Sequence, residues 1–418
     1  MTEEIKKLKE MAHLYKKKSK GFQDPAVGEK ISHDELMAHL EDGNGDEKYN
    51  AKAYKCYLQA AEFGDAESMT EVGSMLYDGI GVEKNEIEAF KWYLQAAEKN
   101  YVRAIKIVGH CYAYGLGVKS NKKKSFEWYL KAAEIGNEDA IEELVKYYAS
   151  GFGVRKNLKK VREWLEKISE EKIAGVLYEV GQLCKDENAI EFYKKSAELG
   201  YTLSMMKLAE MFSLGEKVTQ DFSQAVEWYE KAGESFSDNL HPDIFGEGFV
   251  QAGNIYYIGD GVEQSYKKAF QFYERAAEID YIKGKIHLGK MYYYGLGTER
   301  NFAKAFELFY YAATNREKFF FVDRINSVAR EYVGRMYERG EGVEKNLRRA
   351  LRFYKQAAED SRNTEAMYKV ADMYYLGIGT EQNLEKSLEY YKKVAEHSRS
   401  LRYNDAKNKV EFMERNFK

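Results

Sequence analysis

Residues 292–313 read YYYGLGTERNFAKAFELFYYAA, and residues 374–395 read YYLGIGTEQNLEKSLEYYKKVA. Each stretch is centred on a glycine pair, G-x-G, which has two physical readings. It can be a loop that grips phosphate, or a bend between two helices. A phosphate loop needs G-x-x-x-x-G-K-[ST], or G-x-G-x-x-G between a strand and a helix. Neither context surrounds these glycines. The pair recurs instead at Gly43/Gly45, Gly79/Gly81, Gly115/Gly117, Gly151/Gly153, Gly259/Gly261, Gly295/Gly297, Gly340/Gly342 and Gly377/Gly379. Many first glycines are 36 residues apart, as at 43, 79, 115 and 151. Gly215 with Lys217 is a half-intact copy, and a unit over 172–200 has lost the loop while keeping both flanking helical patterns.

Residues 281–314 show the grammar of one unit. An amphipathic stretch, YIKGKIHLGKMYYYG, carries the small residues Gly284 and Gly289, which let a neighbouring helix come close. Gly295 then ends that helix, because glycine takes the left-handed conformation without a Cβ penalty. Asn301 follows six residues after Gly295, and the same offset gives Asn85, Asn121, Asn157, Asp221, Ser265, Asn346 and Asn383. All of these are good helix N-caps. The second stretch, AKAFELFYYAA, places Ala305, Leu308, Phe309, Ala312 and Ala313 on one helical face. Such a pair cannot bury its apolar face alone and must stack on the next pair, so the array grows in one dimension.

The unit A-x-x-x-x-G-x-x-Y-x-x-G-x-G-V-x-x-N…A-x-x-W/F-Y-x-x-A-A resembles the Sel1-like repeat, a branch of the tetratricopeptide-like α-solenoids. Residues 102–135 fill almost every slot, with Ala104, Gly109, Tyr112, Gly115, Gly117, Val118, Asn121, Trp128, Tyr129, Ala132 and Ala133. Departures are local: Val145 and Ala371 stand where the first-helix glycine belongs, and the first unit, from Ile31, is degenerate. The resemblance covers about 31–395 and implies an all-α, right-handed superhelical solenoid of about ten antiparallel helix pairs with terminal capping helices.

Composition fits this. The chain has 418 residues, 44% hydrophobic and 32% charged, as expected of a folded chain. A net charge of −3 argues against general nucleic-acid binding, which needs a basic surface. The only prolines, Pro25 and Pro242, leave helices free to run. Cys56, Cys111 and Cys184 are far apart, so buried thiols are expected in place of a disulfide framework or zinc site. The charged amino terminus has no apolar core of signal-peptide length, which points to a cytoplasmic protein.

Residues 1–30 are expected to form a basic helix and linker that cap the array, with Ile5, Leu8, Ala12 and Tyr15 on one side of the helix. A basic arm for an acidic membrane or partner is the alternative. Residues 31–395 form the solenoid, and 396–418 a C-terminal capping helix. Two junctions, within 235–245 and 314–327, carry extra residues. The second holds Phe319, Phe320 and Phe321, which either wedge between two segments or offer one ring to a partner.

The resemblance also implies that the first helix of each pair lines a concave groove, through positions −3, −2, +1, +4 and +5 from its central glycine. In the later units these positions give Asn254, Tyr257, His287, Lys290, Tyr293 and Tyr294, then Tyr332, Arg335, Arg339, Tyr368, Asp372 and Tyr375. Tyrosine and arginine are effective interface residues, and this set is the expected partner-binding site; a generic solvated face is the alternative. Neither H-E-x-x-H nor G-x-S-x-G is present. The sequence therefore predicts a non-enzymatic scaffold, adaptor or partner inhibitor that binds a protein or peptide and needs no cofactor. A binder of nucleic acid or glycan is the runner-up, and a hydrolase the third reading.

Overall fold

A computed structural model describes residues 2–19, 45–235, 242–315, 322–360, 362–398 and 400–416. Among them are twenty-one α-helices and no strand. The linker 21–30, the start of the first unit, most of the first long junction and Phe319–Phe321 lie outside the described residues. The chain divides into two compact units, Met1–Phe192 and Tyr193–Lys418.

In the first unit, α1 (Thr2–Ser19) packs on α2 (Gly45–Glu62). Helix pairs follow: α3 (Ala66–Asp78) with α4 (Glu86–Glu98), α5 (Val102–Tyr114) with α6 (Lys122–Glu134), and α7 (Glu138–Ser150) with α8 (Leu158–Leu165). Then come α9 (Glu170–Leu183) and α10 (Asn188–Glu198), the latter divided at the boundary between the units. The second unit continues with α11 (Thr202–Leu214) and α12 (Phe222–Glu234), α13 (Pro242–Ile258) and α14 (Tyr266–Glu278), and α15 (Ile282–Tyr294) and α16 (Phe302–Thr314). It closes with α17 (Val322–Arg339) and α18 (Leu347–Ala357), α19 (Thr364–Leu376) and α20 (Leu384–Ala395), and α21 (Tyr403–Asn416).

The bend chemistry follows the spacing in the sequence. Gly295 caps α15 at φ 70°, ψ 41°, in the left-handed region, and its amide donates to the Met291 carbonyl. Asn301 caps α16, its side chain accepting from the Lys304 amide at 3.0 Å. Asn85, Asn121, Asn157, Asp221, Ser265, Asn346 and Asn383 cap their helices in the same way. The second glycine has a further duty. A Cβ on Gly297 would lie 2.8 Å from the Lys267 amide nitrogen, and nearer again to the Tyr266 carbonyl, at the start of the preceding second helix. Gly342 and Gly379 meet Phe302 and Leu347, the first residues of α16 and α18, in the same fashion. The G-x-G turn is thus a contact between pairs as well as a bend. In the half-intact copy, Lys217 takes φ 63°.

Small residues set the helix separation. Ala305, Ala312 and Ala313 are buried on α16 around Phe309, which is wholly buried. A Cβ on Gly289 would sit 2.9 Å from the Phe309 ring, so glycine admits the aromatic side chain. Tyr354 fills the same place beneath Gly334. Where Val145 replaces the glycine, the residue in the aromatic slot is Leu165, and both are buried. Each large side chain buried this way contributes about 1.5–3 kcal/mol.

The long junctions show partly as longer first helices. α13 has 17 residues and α17 has 18, against 13 in α11, α15 and α19. Ala12 of α1 is fully buried, while Lys9 pairs with Asp65 and Glu67, and Lys16 with Glu71 of α3. α1 therefore stands in the place of a first helix beside α3. At the other end α21 packs on α20 through Ala406 and Met413.

Candidate functional site

All residues of the expected binding set lie in the second unit, on α13, α15, α17 and α19. Helical geometry sorts them. With about 100° per residue, and the central small residue turned toward its own second helix, positions −3 and +4 lie within about 60° of that buried direction. Positions +1, +5 and −2 point further away. Tyr293, at +4, and Tyr368, at −3, are accordingly buried, as is Tyr332, at −2, whose ring stacks on Phe309 at 4.4 Å. These three rings, expected to line the groove, belong to the core. Tyr375 is partly buried at +4, whereas Tyr257, also at +4, is 38% exposed. Asn254, Lys290, Arg335 and Asp372, at +1, are partly exposed, as is His287 at −2; Tyr294 and Arg339, at +5, are open.

Several of these groups are engaged by tyrosines rising from the second helices. Tyr273 donates to Asn254 Oδ1 at 2.8 Å, and Tyr391 donates to Asp372. Tyr354 donates to Glu338 Oε2 at 2.7 Å, and Tyr93 does the same to Ser74 in the first unit at 3.3 Å. The aromatic slot that looks purely structural in sequence therefore delivers a hydroxyl to the first-helix face. Tyr293 donates to Glu341 Oε2 at 2.7 Å, and burial together with that carboxylate pushes its phenol up to about 12. The Tyr294 and Tyr332 hydroxyls lie 3.1 Å apart.

A ladder of ion pairs links neighbouring first helices. In the second unit Lys283 meets Glu247 at 2.7 Å, Lys369 meets Glu338 at 3.3 Å, and Arg402 grips Glu365 through two nitrogens at 2.9 and 3.1 Å. Arg335 holds Glu331 on its own helix at 2.7 Å. The first unit repeats the scheme: Arg103 to Glu71 at 2.6 Å, Lys106 and Lys172 to Asp139 at 2.7 and 2.8 Å, and Lys146 to Glu179 at 2.6 Å. Sequence reading missed this ladder. Its signal is a pair of opposite charges about one repeat apart.

The ionisable groups respond to this setting. Burial raises the Glu247 carboxyl, but bonds from Lys283, Tyr281 and Gln251 hold it below its ordinary range. The bond from Arg402, working against burial, lowers Glu365. Burial raises Glu331 in spite of Arg335. His287, stacked on Tyr273 at 4.7 Å, is pushed down to about 4 by burial and by Lys290. Burial also lowers Lys290, against the pull of Glu331.

The open row at +5 is partly apolar. Leu214, Ile258, Tyr294 and Leu376, each the last residue of its first helix, are exposed by 66%, 66%, 50% and 60%. Tyr114 holds this place in the first unit and is exposed by 69%. Leu214, Ile258 and Leu376 were not among the expected site residues, although they occupy the same slot as Tyr294. Among the described residues no cluster of His, Cys, Asp or Glu has the makings of a metal site, and the three cysteines are buried with no disulfide between them. No helix among them is long and apolar enough to cross a membrane.

Within each unit, antiparallel helix pairs, most of them closed by a G-x-G bend and packed on a neighbouring pair, define an α-solenoid of tetratricopeptide-like type. The Sel1 repeat matches at 37–65, 66–101, 103–137, 146–172, 174–201, 202–235, 250–281, 283–316, 327–361 and 364–398, and the chain belongs to the Sel1 repeat family. A Sel1 repeat protein from Oxalobacter formigenes is 21% identical over 85% of this chain and 89% of that chain, with a TM-score of 0.53. A protective antigen of uropathogenic Escherichia coli with an SLR fold is 22% identical over 97% of this chain and 91% of that chain, with a TM-score of 0.41. At such identities the likeness is one of fold. Comparison with curated proteins finds no match. Proteins built from Sel1 and tetratricopeptide-like repeats generally mediate protein–protein interactions, and the fold is typically a non-enzymatic scaffold.

Proposed function

We propose that this protein is a non-enzymatic, cytoplasmic adaptor, or an inhibitor of its partner, which holds a protein or peptide on the first-helix face of its second unit. α1 and α21 would serve as caps that keep the ends of the stack soluble. The observation that carries the proposal is the open row of Ile258, Tyr294 and Leu376 beside Tyr257, running over ion-paired charges. Exposed apolar side chains in a row, interrupted by Arg339 on α17 and rimmed by polar groups, suit a protein surface. The charge pairing disfavours a nucleic acid, because cations already neutralised by carboxylates release few counterions on meeting phosphates.

The test is affinity capture from native lysate with the parent chain and with a Tyr257→Ala/Ile258→Ala/Tyr294→Ala/Leu376→Ala variant. The expected result is a stoichiometric protein bound by the parent and lost by the variant, with helical content unchanged by circular dichroism. Recovery of nucleic acid in place of protein, or undiminished capture by the variant, overturns the proposal.

A further inference from the structure

Lys146 and Lys290 occupy the same place in the repeat, one residue after the central position held by Val145 and Gly289. Their surroundings differ sharply. Lys146 Nζ meets three carboxylates: Glu142 at 2.8 Å, Glu143 at 3.2 Å and Glu179 at 2.6 Å. Around Lys290 the corresponding residues on its own helix are Ile286 and His287. Among the described residues no carboxylate comes within ion-pair distance of its amine. The nearby acids are already taken, Glu331 by Arg335 and Glu247 by Lys283, Tyr281 and Gln251. His287 is stacked on Tyr273 and, with its low pKa, is neutral at physiological pH. What Lys290 does have is the ring of Tyr332, 5.8 Å from its nitrogen. The cations Lys283, Arg335, Lys369 and Arg402 on this face each own a carboxylate. Lys290 is the missing rung: an ammonium that has lost part of its water and gained only the unpaired pull of Glu331, which burial outweighs, a standing cost to the free protein.

We propose that Lys290 anchors one side-chain carboxylate of an extended, acidic segment of the protein partner. This rests on the first-helix face being the binding face, and it names the chemistry that the face selects. Tyr257 and Ile258 end the neighbouring first helix, α13, and Tyr294 lies one turn beyond Lys290 on α15; all three expose apolar surface. Packed helices lie about 8–10 Å apart, and an extended chain rises about 3.3 Å per residue. One helix-to-helix step therefore spans about three residues. The segment would carry a glutamate or aspartate with an apolar side chain about three positions away, the acid on Lys290 and the apolar groups on Ile258 and Tyr294.

The experiment selects binders to the full chain from a phage library of random 12-residue peptides. Selected peptides are then synthesised with their acidic residue intact or changed to the amide, and binding is measured by fluorescence polarisation. We expect enrichment of an acid with apolar neighbours at three-residue steps, and a loss of about ten- to a hundredfold on changing the acid to the amide. Lys290→Met should abolish that discrimination and keep the weaker apolar binding. Peptides enriched without acidic bias, yet lost on Tyr257→Ala/Tyr294→Ala, would keep the binding face and overturn the role of Lys290. Peptides indifferent to those tyrosines would overturn both. A second arm needs no ligand: the thermal midpoint of Lys290→Met should equal or exceed that of the parent, while Lys146→Met lowers it. A matching loss in both variants would mean that the Lys290 ammonium is already satisfied, and would refute the proposal.

Discussion

Replacing the glycines of one bend by alanine separates the two roles assigned to the G-x-G turn. Gly136, at φ 92°, is the reference, because an added Cβ there meets nothing within 4 Å. Its change to alanine costs the left-handed conformation, about 1–2 kcal/mol, less about 0.4–1 kcal/mol from the stiffer unfolded chain. The net is about 1 kcal/mol. Gly295, at φ 70°, adds approaches of 3.1 Å to Arg300 Cβ and 3.3 Å to the Arg300 amide, which a shift of a few tenths of an ångström relieves. Gly297, at φ 68°, adds an overlap with the Tyr266 carbonyl and a 2.8 Å approach to the Lys267 amide, both backbone. Relief there requires α14 and α15 to part, which costs a further ~1–3 kcal/mol on the scale of overpacking. Gly297→Ala should therefore lose about 2–4 kcal/mol, and Gly295→Ala about 1 kcal/mol. Urea unfolding followed by circular dichroism measures the totals, and hydrogen exchange should show the added loss in the amides of α14 and α15. If Gly297→Ala falls within about 0.5 kcal/mol of Gly295→Ala, the second glycine is not a seat between pairs and the packing account fails.

The reverse change, Lys217→Gly, should stabilise the chain by about 1 kcal/mol, because Lys217 holds φ 63° against its side chain; an unchanged or lowered unfolding midpoint refutes this. Asn301→Ala should cost about 1 kcal/mol in urea unfolding, and Asn301→Asp much less, since the cap needs only an acceptor for the Lys304 amide. His287 gives a pH signature. Its folded pKa, about 4, lies below the ordinary 6.5, so its contribution is complete above pH 6.5 and is lost as pH falls toward 4. The difference in unfolding free energy between parent and His287→Gln should shrink by on the order of 3 kcal/mol over that window; a flat difference curve would show that the ring is not kept neutral by burial.

Much of this architecture is legible in the sequence because it rests on local chemistry. The bends need glycine, the caps need Asn, Asp or Ser, and their six-residue offset survives in every copy from Gly79 onward that keeps the bend. The departure at Val145 is legible as well, through the matching change to Leu165. The first-helix face is harder to read. Tyr293 and Tyr368 look like groove residues by type, but their angle from the central small residue turns them into the core, and Tyr332 is claimed by Phe309. The charge ladder depends on side chains about one repeat apart meeting in space, so Glu247 and Glu365 carry no local mark of their roles. Leu214, Ile258 and Leu376 carry a positional mark, since they share a slot with Tyr294, but an aliphatic residue at a helix end reads as core until its exposure is known.

The seating of each bend on the preceding second helix gives the stack a direction. Gly297 leans on Tyr266, Gly342 on Phe302 and Gly379 on Leu347, always toward the amino terminus. A chain emerging from the ribosome thus finishes each platform before the glycine that must land on it is made. Trimming from the carboxyl end would strip away lodgers and leave their hosts intact, while trimming from the amino end would evict the support from under the next bend at every step.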